Sequence, residues 1–306
     1  MANISIEAKG LTKKFGDKMA VNGINFEVSR GECFGVLGPN GAGKSTTMRM
    51  MYGLTRIHHG ELFVLGLNMK SQSREVKAKI GVVPQEDGLD VDFSVLDNLL
   101  VYSSYHAIPP EEAKERAQTL LRLVKLDDVA HSPVEHLSGG MKRRLTIARS
   151  LINNPDILFL DEPTTGLDPQ ARLFIWDILK RFKLEGKTIV LTTHYMEEAE
   201  QLCDRIAIMD KGTILTMGTP KALIEANVGL QVLEIGLKNE DIPYFSRKLT
   251  QENTDFIALE NKIVIFLHEQ NRPEKLLSTV PSQDIVIRPA SLNDVFLRFA
   301  GHALKD

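Results

Sequence analysis

The chain has 306 residues, 43% of them apolar and 25% charged, a composition that fits a globular protein and excludes a disordered, collagen-like or disulfide-stapled one. Its 37 Lys and Arg against 40 Asp and Glu leave a formal charge of −3, so no overall basic field attracts nucleic acid or an anionic membrane. Two cysteines, Cys33 and Cys203, with no charged-then-apolar leader, point to a reducing, cytosolic setting and read as buried, inert thiols. Every apolar run is cut by a charge, Gly or Pro before the roughly 20 residues a spanning helix needs, so no direct membrane span is expected.

In chain order, Ile4, Ile6 and Ala8, then Ile24, Phe26 and Val28, alternate with polar residues, the two-residue period of half-buried antiparallel strands near a sheet edge. Three compact apolar runs, Cys33 to Leu37, Ile157 to Leu160 and Thr188 to Leu191, each lead into a loop and a helical pattern, as parallel strands covered on both faces do. Pro109-Pro110 opens a helical spacing of Ala113, Ala117, Leu120, Leu121 and Val124, and a second helical pattern runs from Gly140 to Ile152; residues 88–155 therefore read as a helical insert. Beyond 227 the order is strand 231–237, helix 242–252, strands 255–259 and 262–268, helix 273–280 and strand 284–289, a β-α-β-β-α-β, ferredoxin-like arrangement. A last helix starts at Ser291, with Asp294 as its capping-box partner, and stops at Gly301. Its apolar side of Leu292, Val295, Phe296 and Phe299 reads as a dimer surface. The expectation is an α/β chain in two domains: 1–227, a mixed sheet with an antiparallel β edge and a helical subdomain, and 228–306, a small α+β accessory domain.

Gly38-Pro39-Asn40-Gly41-Ala42-Gly43-Lys44-Ser45 matches G-x-x-x-x-G-K-[ST] between an apolar run and a helical one, the context a phosphate loop requires. Glycines let backbone N–H groups turn toward a polyphosphate, the helix N-terminus adds positive potential, and the Lys44 ammonium can bridge the β and γ phosphates. Ser45 is the expected Mg²⁺ ligand and Thr46 a further phosphate contact. Asp161 and Glu162 end the run that begins at Ile157. Asp161 is expected to hold the metal through water and Glu162 to polarise the attacking water, because phosphoryl transfer needs positioning and charge stabilisation more than covalent help.

Leu137-Ser138-Gly139-Gly140-Met141, with Ser138 23 residues before Asp161, leads into a basic amphipathic helix and forms a second helix N-terminus able to hold an anion. It resembles the signature motif of the ATP-binding cassette ATPases, a phosphate-loop NTPase family. The resemblance implies ATP as substrate with Mg²⁺, and a homodimer in which Ser138, Gly139 and Gly140 face the γ-phosphate held by the partner's phosphate loop. It also implies adenine stacking by Phe15, metal contact and state reporting by Gln85 after Val82-Val83-Pro84, and coupling of the two sites by Asp168 within Gly166-Leu167-Asp168. His194, after Val190-Leu191-Thr192-Thr193, matches the switch histidine that contacts the γ-phosphate and orients Glu162 and water. Phe15 stands where Tyr is more usual and Met141 where most cassettes carry Gln; the second departure is expected to retune the interface without abolishing binding. Longer stretches, Leu137 to Arg144, Leu160 to Arg172, Thr192 to Arg205 and the closing Arg288 to Leu297, are similar to the nodulation-factor export and daunorubicin-resistance branch. The cassette likeness covers about residues 2–227, and the branch likeness reaches the end more weakly.

That branch implies an ATPase that drives a separate six-helix membrane permease, docked near Gln85 and the helical insert, and exports a drug-like, lipid or lipo-oligosaccharide substrate. Such a subunit sits on the cytoplasmic face of the inner membrane through its permease. The alternative is a soluble cassette switch acting on ribosomes or DNA. Against it stand a single cassette, the short span of 94 residues from Lys44 to Ser138, and nine basic against eleven acidic residues beyond 227, which is no footprint for nucleic acid. An importer subunit is less favoured, because the C-terminal domain is shorter than the regulatory domains such subunits often carry.

Overall fold

A computed structural model describes residues 4–267 and 285–303, and the chain divides into two compact units between Met217 and Gly218. In the first, β1 (Ile4–Phe15) and β2 (Lys18–Ser29) form an antiparallel pair. Their register sets Ile6 opposite Val28, Ala8 opposite Phe26 and Leu11 opposite Ile24, so the alternating apolar residues share one buried face. After β3 (Cys33–Leu37) and α1 (Lys44–Met51), β4 (His59–Val64) and β5 (Leu67–Asn68) complete a sheet of order β2-β1-β4-β5.

The chain continues through α2 (Ser73–Lys77) and β6 (Ile80–Val83), then α3 (Val95–Tyr105), α4 (Pro110–Leu123) and α5 (Gly139–Ser150) before β7 (Ile157–Asp161). These three helices have local reasons to start where they do. The Ser94 hydroxyl accepts from Asp97 N and the Ser138 hydroxyl from Met141 N, and Pro110 occupies the first turn of α4, where its missing N–H costs nothing. Then follow α6 (Pro169–Leu184), β8 (Thr188–Thr193), α7 (Met196–Leu202), β9 (Arg205–Asp210) and β10 (Thr213–Gly218). The second sheet has the order β10-β9-β3-β8-β7-β6, with β9, β3, β8, β7 and β6 joined in parallel.

Every residue of β3, β7 and β8 is buried, which is why these segments read as unbroken apolar runs. The two sheets share a core: the rings of Phe26 and Phe34 stack at 5.7 Å, 9° from parallel, each burial contributing about 1.5–3 kcal/mol. Parallel pairing of β3, β8 and β7 brings their C-terminal ends side by side, so the loops after Leu37, Asp161 and Thr193 converge where α/β sheets place ligands. The first unit is thus α/β, an antiparallel sheet beside a largely parallel one, with helices between the strands. Cys33 and Cys203 are buried free thiols. Among the described residues no helix is long and apolar enough to cross a membrane.

The second unit comprises α8 (Pro220–Val228), β11 (Gln231–Gly236), α9 (Ile242–Gln251), β12 (Phe256–Ala258), β13 (Lys262–Leu267), β14 (Ile285–Pro289) and α10 (Leu292–Ala303). Its antiparallel sheet has the order β12-β13-β11-β14; the helix expected over 273–280 lies outside the described residues. The division falls earlier than the 227/228 boundary expected from sequence, because α8 packs against α10 inside this unit. Leu292 and Val295 are fully buried, so the apolar side of α10 is covered within the protomer at these positions instead of lying open as a dimer surface.

An ion network fixes α10 to the sheet. The Arg288 guanidinium lies 2.7 Å from both Glu234 and Asp294, and Asp294 accepts from Ser291 N at 2.8 Å. Burial pushes the Asp294 carboxyl up, but Arg288 and Ser291 together hold it below its ordinary value. Glu234 is likewise held low, its desolvation outweighed by Arg288 and Lys262.

Candidate functional site

The phosphate loop needs glycine for steric reasons visible in the coordinates. Gly43 has φ 105°, and a Cβ there would meet Ala20 O at 2.4 Å; a Cβ on Gly38 would meet Met209 O at 2.2 Å. Helix α1 begins at Gly43 with no side-chain cap and no acid in its first turn, so its leading N–H groups stay available to an anion. Lys44, 4% exposed, donates to Gly38 O at 2.8 Å and Pro39 O at 3.1 Å, and its Nζ lies 3.8 Å from Glu162 Oε1. Burial lowers the Lys44 pKa, while Glu162 and Asp161 oppose that shift.

Behind the loop, Asp161 Oδ1 accepts from Ser45 Oγ at 2.9 Å and from Thr192 Oγ1 at 2.5 Å. Glu162 follows with φ 48°, a left-handed conformation that costs a non-glycine residue of order 1–3 kcal/mol unless its surroundings hold it. They do so here. Its N–H donates to both Thr192 O and Thr192 Oγ1 at 3.1 Å, and its Oε2 accepts from Thr165 Oγ1 at 3.2 Å. His194 Nδ1 lies 3.3 Å from Glu162 Oε2 without an aligned hydrogen bond and has no other partner among the described residues, although the atom is buried.

These groups surround an open cavity of about 570 Å³. Of the residues singled out from sequence, Phe15, Asn40, Gly41, Gly43, Lys44, Ser45, Thr46, Gln85, Glu162 and His194 line it. Phe15 is 52% exposed, with Lys13 Nζ 4.7 Å from its ring centroid. Gly38 and Asp161 stand behind the wall. The donor set of a hydroxyl (Ser45), a carboxylate (Asp161) and an amide (Gln85) is hard oxygen and fits Mg²⁺, which takes few protein ligands and completes its shell with water and substrate phosphate.

Ser138, Gly139, Gly140 and Asp168 do not line this cavity. A Cβ on Gly140 would meet Ala171 Cβ at 3.3 Å, so the first turn of α5 approaches that of α6 at this point. Ser138 and Asp168 each cap the helix they precede, accepting from Met141 N at 3.3 Å and Ala171 N at 2.9 Å. Sequence reading missed Thr165, Lys18, Thr192 and Arg143. Thr192 carried one signal, a hydroxyl at the end of an apolar strand; the others show no local pattern.

Comparison with known proteins gives concordant results. Residues 21–165 match the ABC transporter family. The chain is 45% identical over 311 residues to the Nod factor export ATP-binding protein I of Rhizobium sp. (strain N33), with all of both chains covered. It is 44% identical to the protein of the same description in Rhizobium meliloti (strain 1021), over 99% of this chain and 90% of that one. Among solved structures, a dimeric ATP-binding cassette in a post-hydrolysis state bound to ADP and Pi aligns with TM-score 0.64 and 29% identity, over 70% of this chain and 98% of that one. The cbiO1 protein of Clostridium perfringens, part of an ABC transporter complex, aligns with TM-score 0.67 and 26% identity, over 82% and 97%.

Proposed function

Because this chain belongs to the ABC transporter family, as an ATP-binding subunit that hydrolyses ATP, we propose that two copies close around Mg-ATP and drive export through a separate membrane permease. The observation that carries the reading is the convergence of Lys44, Ser45, Gln85, Glu162 and His194 on one open cavity, with Asp161 behind it. Phe15 stacks on the adenine, the backbone of Gly38, Asn40, Gly41 and Gly43 wraps the phosphates, and Thr46 adds a hydroxyl. Ser45, Gln85 and Asp161 would hold Mg²⁺, which supplies neutralisation of charge on the transferring phosphoryl group.

Lys44 now rests on loop carbonyls and close to Glu162. Arrival of the polyphosphate gives its ammonium a stronger partner and leaves the Glu162 carboxylate to orient and deprotonate water. His194, beside that carboxylate with an unpartnered Nδ1, is placed to contact the γ-phosphate and hold Glu162 in line. Across the dimer, Ser138 serves a second anion without releasing its cap, because a hydroxyl accepts from Met141 N and still has a proton to donate. The Gly139 and Gly140 amides join it, and Asp168 at the head of α6 couples the two sites.

The relatives' description as Nod factor export ATP-binding proteins supports export; in this reading the cargo is a drug-like, lipid or lipo-oligosaccharide molecule, and the subunit works from the cytoplasmic face of the inner membrane through its permease. The test is to purify the tagged chain from detergent-solubilised native membranes and identify its companions by mass spectrometry. A polytopic protein in near-equal amount is the expected result, with ATPase activity raised in the complex. Ribosomes or DNA-bound proteins alone, with the chain absent from membranes, would replace this reading with the soluble switch.

A further inference from the structure

Helix α5 begins at the signature serine and then does something the motif does not announce. Three side chains spaced along one face, Arg143, Thr146 and Arg149, grip the loop that follows β6. Arg143 Nη1 donates to Pro84 O at 2.5 Å and lies 3.3 Å from Asp87 Oδ1. Thr146 Oγ1 donates to Asp87 Oδ1 at 3.2 Å, and Arg149 donates to Asp87 O at 2.8 Å and Gly88 O at 2.7 Å. Pro84 immediately precedes Gln85, so the backbone that presents this amide to the cavity is tied to α5.

The other half of the Arg143 guanidinium points at the opposite wall. Nη2 donates to Asp161 O and Glu162 O at 3.1 Å each, and Nε donates to Pro163 O at 2.7 Å. One buried cation, 4% exposed, thus satisfies the carbonyls of three consecutive residues around a left-handed Glu162. A carbonyl row at a strand end that no ladder continues must find donors elsewhere, and the planar guanidinium fork offers five in fixed geometry.

We propose that Arg143 is the positioning residue that sets Glu162 and the Gln85 backbone in their working geometry, holding the two walls of the ATP cavity to the helix that carries the signature motif. It never touches nucleotide; it acts through Glu162 and Gln85, and the inference rests on the assignment of Glu162 to the attacking water. Lysine at this position keeps the charge but offers one ammonium to five acceptors on two segments, so it cannot hold both walls at once.

The test is a double-mutant cycle on the full chain between Arg143→Lys and Glu162→Gln, reading single-turnover hydrolysis, Mg-ATP affinity and thermal unfolding. In the native background, Arg143→Lys lowers the hydrolysis rate by at least tenfold and leaves ATP affinity within about threefold, since the phosphate loop makes no contact with it. In the Glu162→Gln background the same change lowers the residual rate by much less, because one of the two groups it positions is already gone and only the share that acts through Gln85 remains. Equal loss in both backgrounds, or an unchanged rate in the native one, overturns the proposal. If Arg143→Lys does not fold, Asp87→Asn replaces it, removing the negative charge beside the guanidinium while keeping an acceptor oxygen for Arg143 and Thr146; a rate loss larger in the chain that keeps Glu162 supports the proposal, and no loss overturns it. Full-rate hydrolysis by Glu162→Gln alone is a separate outcome, which removes the assignment of that carboxylate and the proposal with it.

Discussion

Replacing Thr192 by valine changes one hydroxyl to a methyl of the same shape, at a fully buried position between the metal-side carboxylate and Glu162. The lost contacts are the 2.5 Å bond to Asp161 Oδ1 and the 3.1 Å bond from Glu162 N, and a bond to a charged acceptor contributes about 1.5–3 kcal/mol. The lower part of that range applies, because Asp161 Oδ1 keeps Ser45 Oγ at 2.9 Å and Glu162 N keeps Thr192 O at 3.1 Å. A destabilisation of about 2 kcal/mol is expected. Were the same energy withdrawn from the transition state through a misplaced Asp161 and Glu162, turnover would fall about 30-fold. The assay pairs urea unfolding, followed by the fluorescence of Trp176, the one tryptophan, with single-turnover hydrolysis. Thr192→Ser keeps the hydroxyl and should restore turnover to within about threefold of the native rate. Native stability and turnover in Thr192→Val would refute the argument that this hydroxyl organises the end of β7.

Other expectations follow from the same geometry. Lys44→Ala removes the ammonium from the loop carbonyls and should abolish measurable Mg-ATP binding in an equilibrium titration while the fold, read by circular dichroism, persists. Gly43→Ala forces a Cβ to 2.4 Å from Ala20 O at φ 105°, and should cost well over 1 kcal/mol in denaturant unfolding as well as nucleotide affinity. In the C-terminal unit, Glu234 and Asp294 are held below their ordinary values, so the unfolded state binds more protons in acid. Their contribution is complete above the ordinary carboxylate range near pH 4 and is lost as pH falls through the folded values. Hydrogen exchange at the β11 and β13 amides should show protection falling with acid in the native chain and a flatter profile in Arg288→Leu.

Much of the cassette was legible because its signals are local. Unbroken apolar runs mark β3, β7 and β8, since a strand covered on both faces has no reason to alternate, and the phosphate loop is a single contiguous string. The groups that escaped notice act over long sequence distances. Arg143 reaches Pro84 and Pro163, and its side-chain-to-carbonyl contacts leave no periodic trace. Nor did sequence show that α8 belongs with the second unit, because the pairing that decides it, α8 with α10, joins segments far apart in the chain. Of the stripe read as a dimer face, Leu292 and Val295 are covered within the protomer while Phe296 and Phe299 are only partly buried: an apolar stripe reveals that something covers it, not what. Ser138 and Asp168 show the converse, being helix caps in the structure whatever further role they take up across a dimer.

The most direct single measurement is hydrolysis of saturating Mg-ATP by Glu162→Gln beside the native chain, with oligomeric mass read by light scattering in the same samples. The expected result is undiminished ATP binding, a stable nucleotide-bound dimer and turnover reduced by about 10²–10⁴-fold, the range for loss of a positioned general base. Hydrolysis at the native rate, with no dimer on adding ATP, would contradict both the role of Glu162 and the two-cassette sandwich built around it.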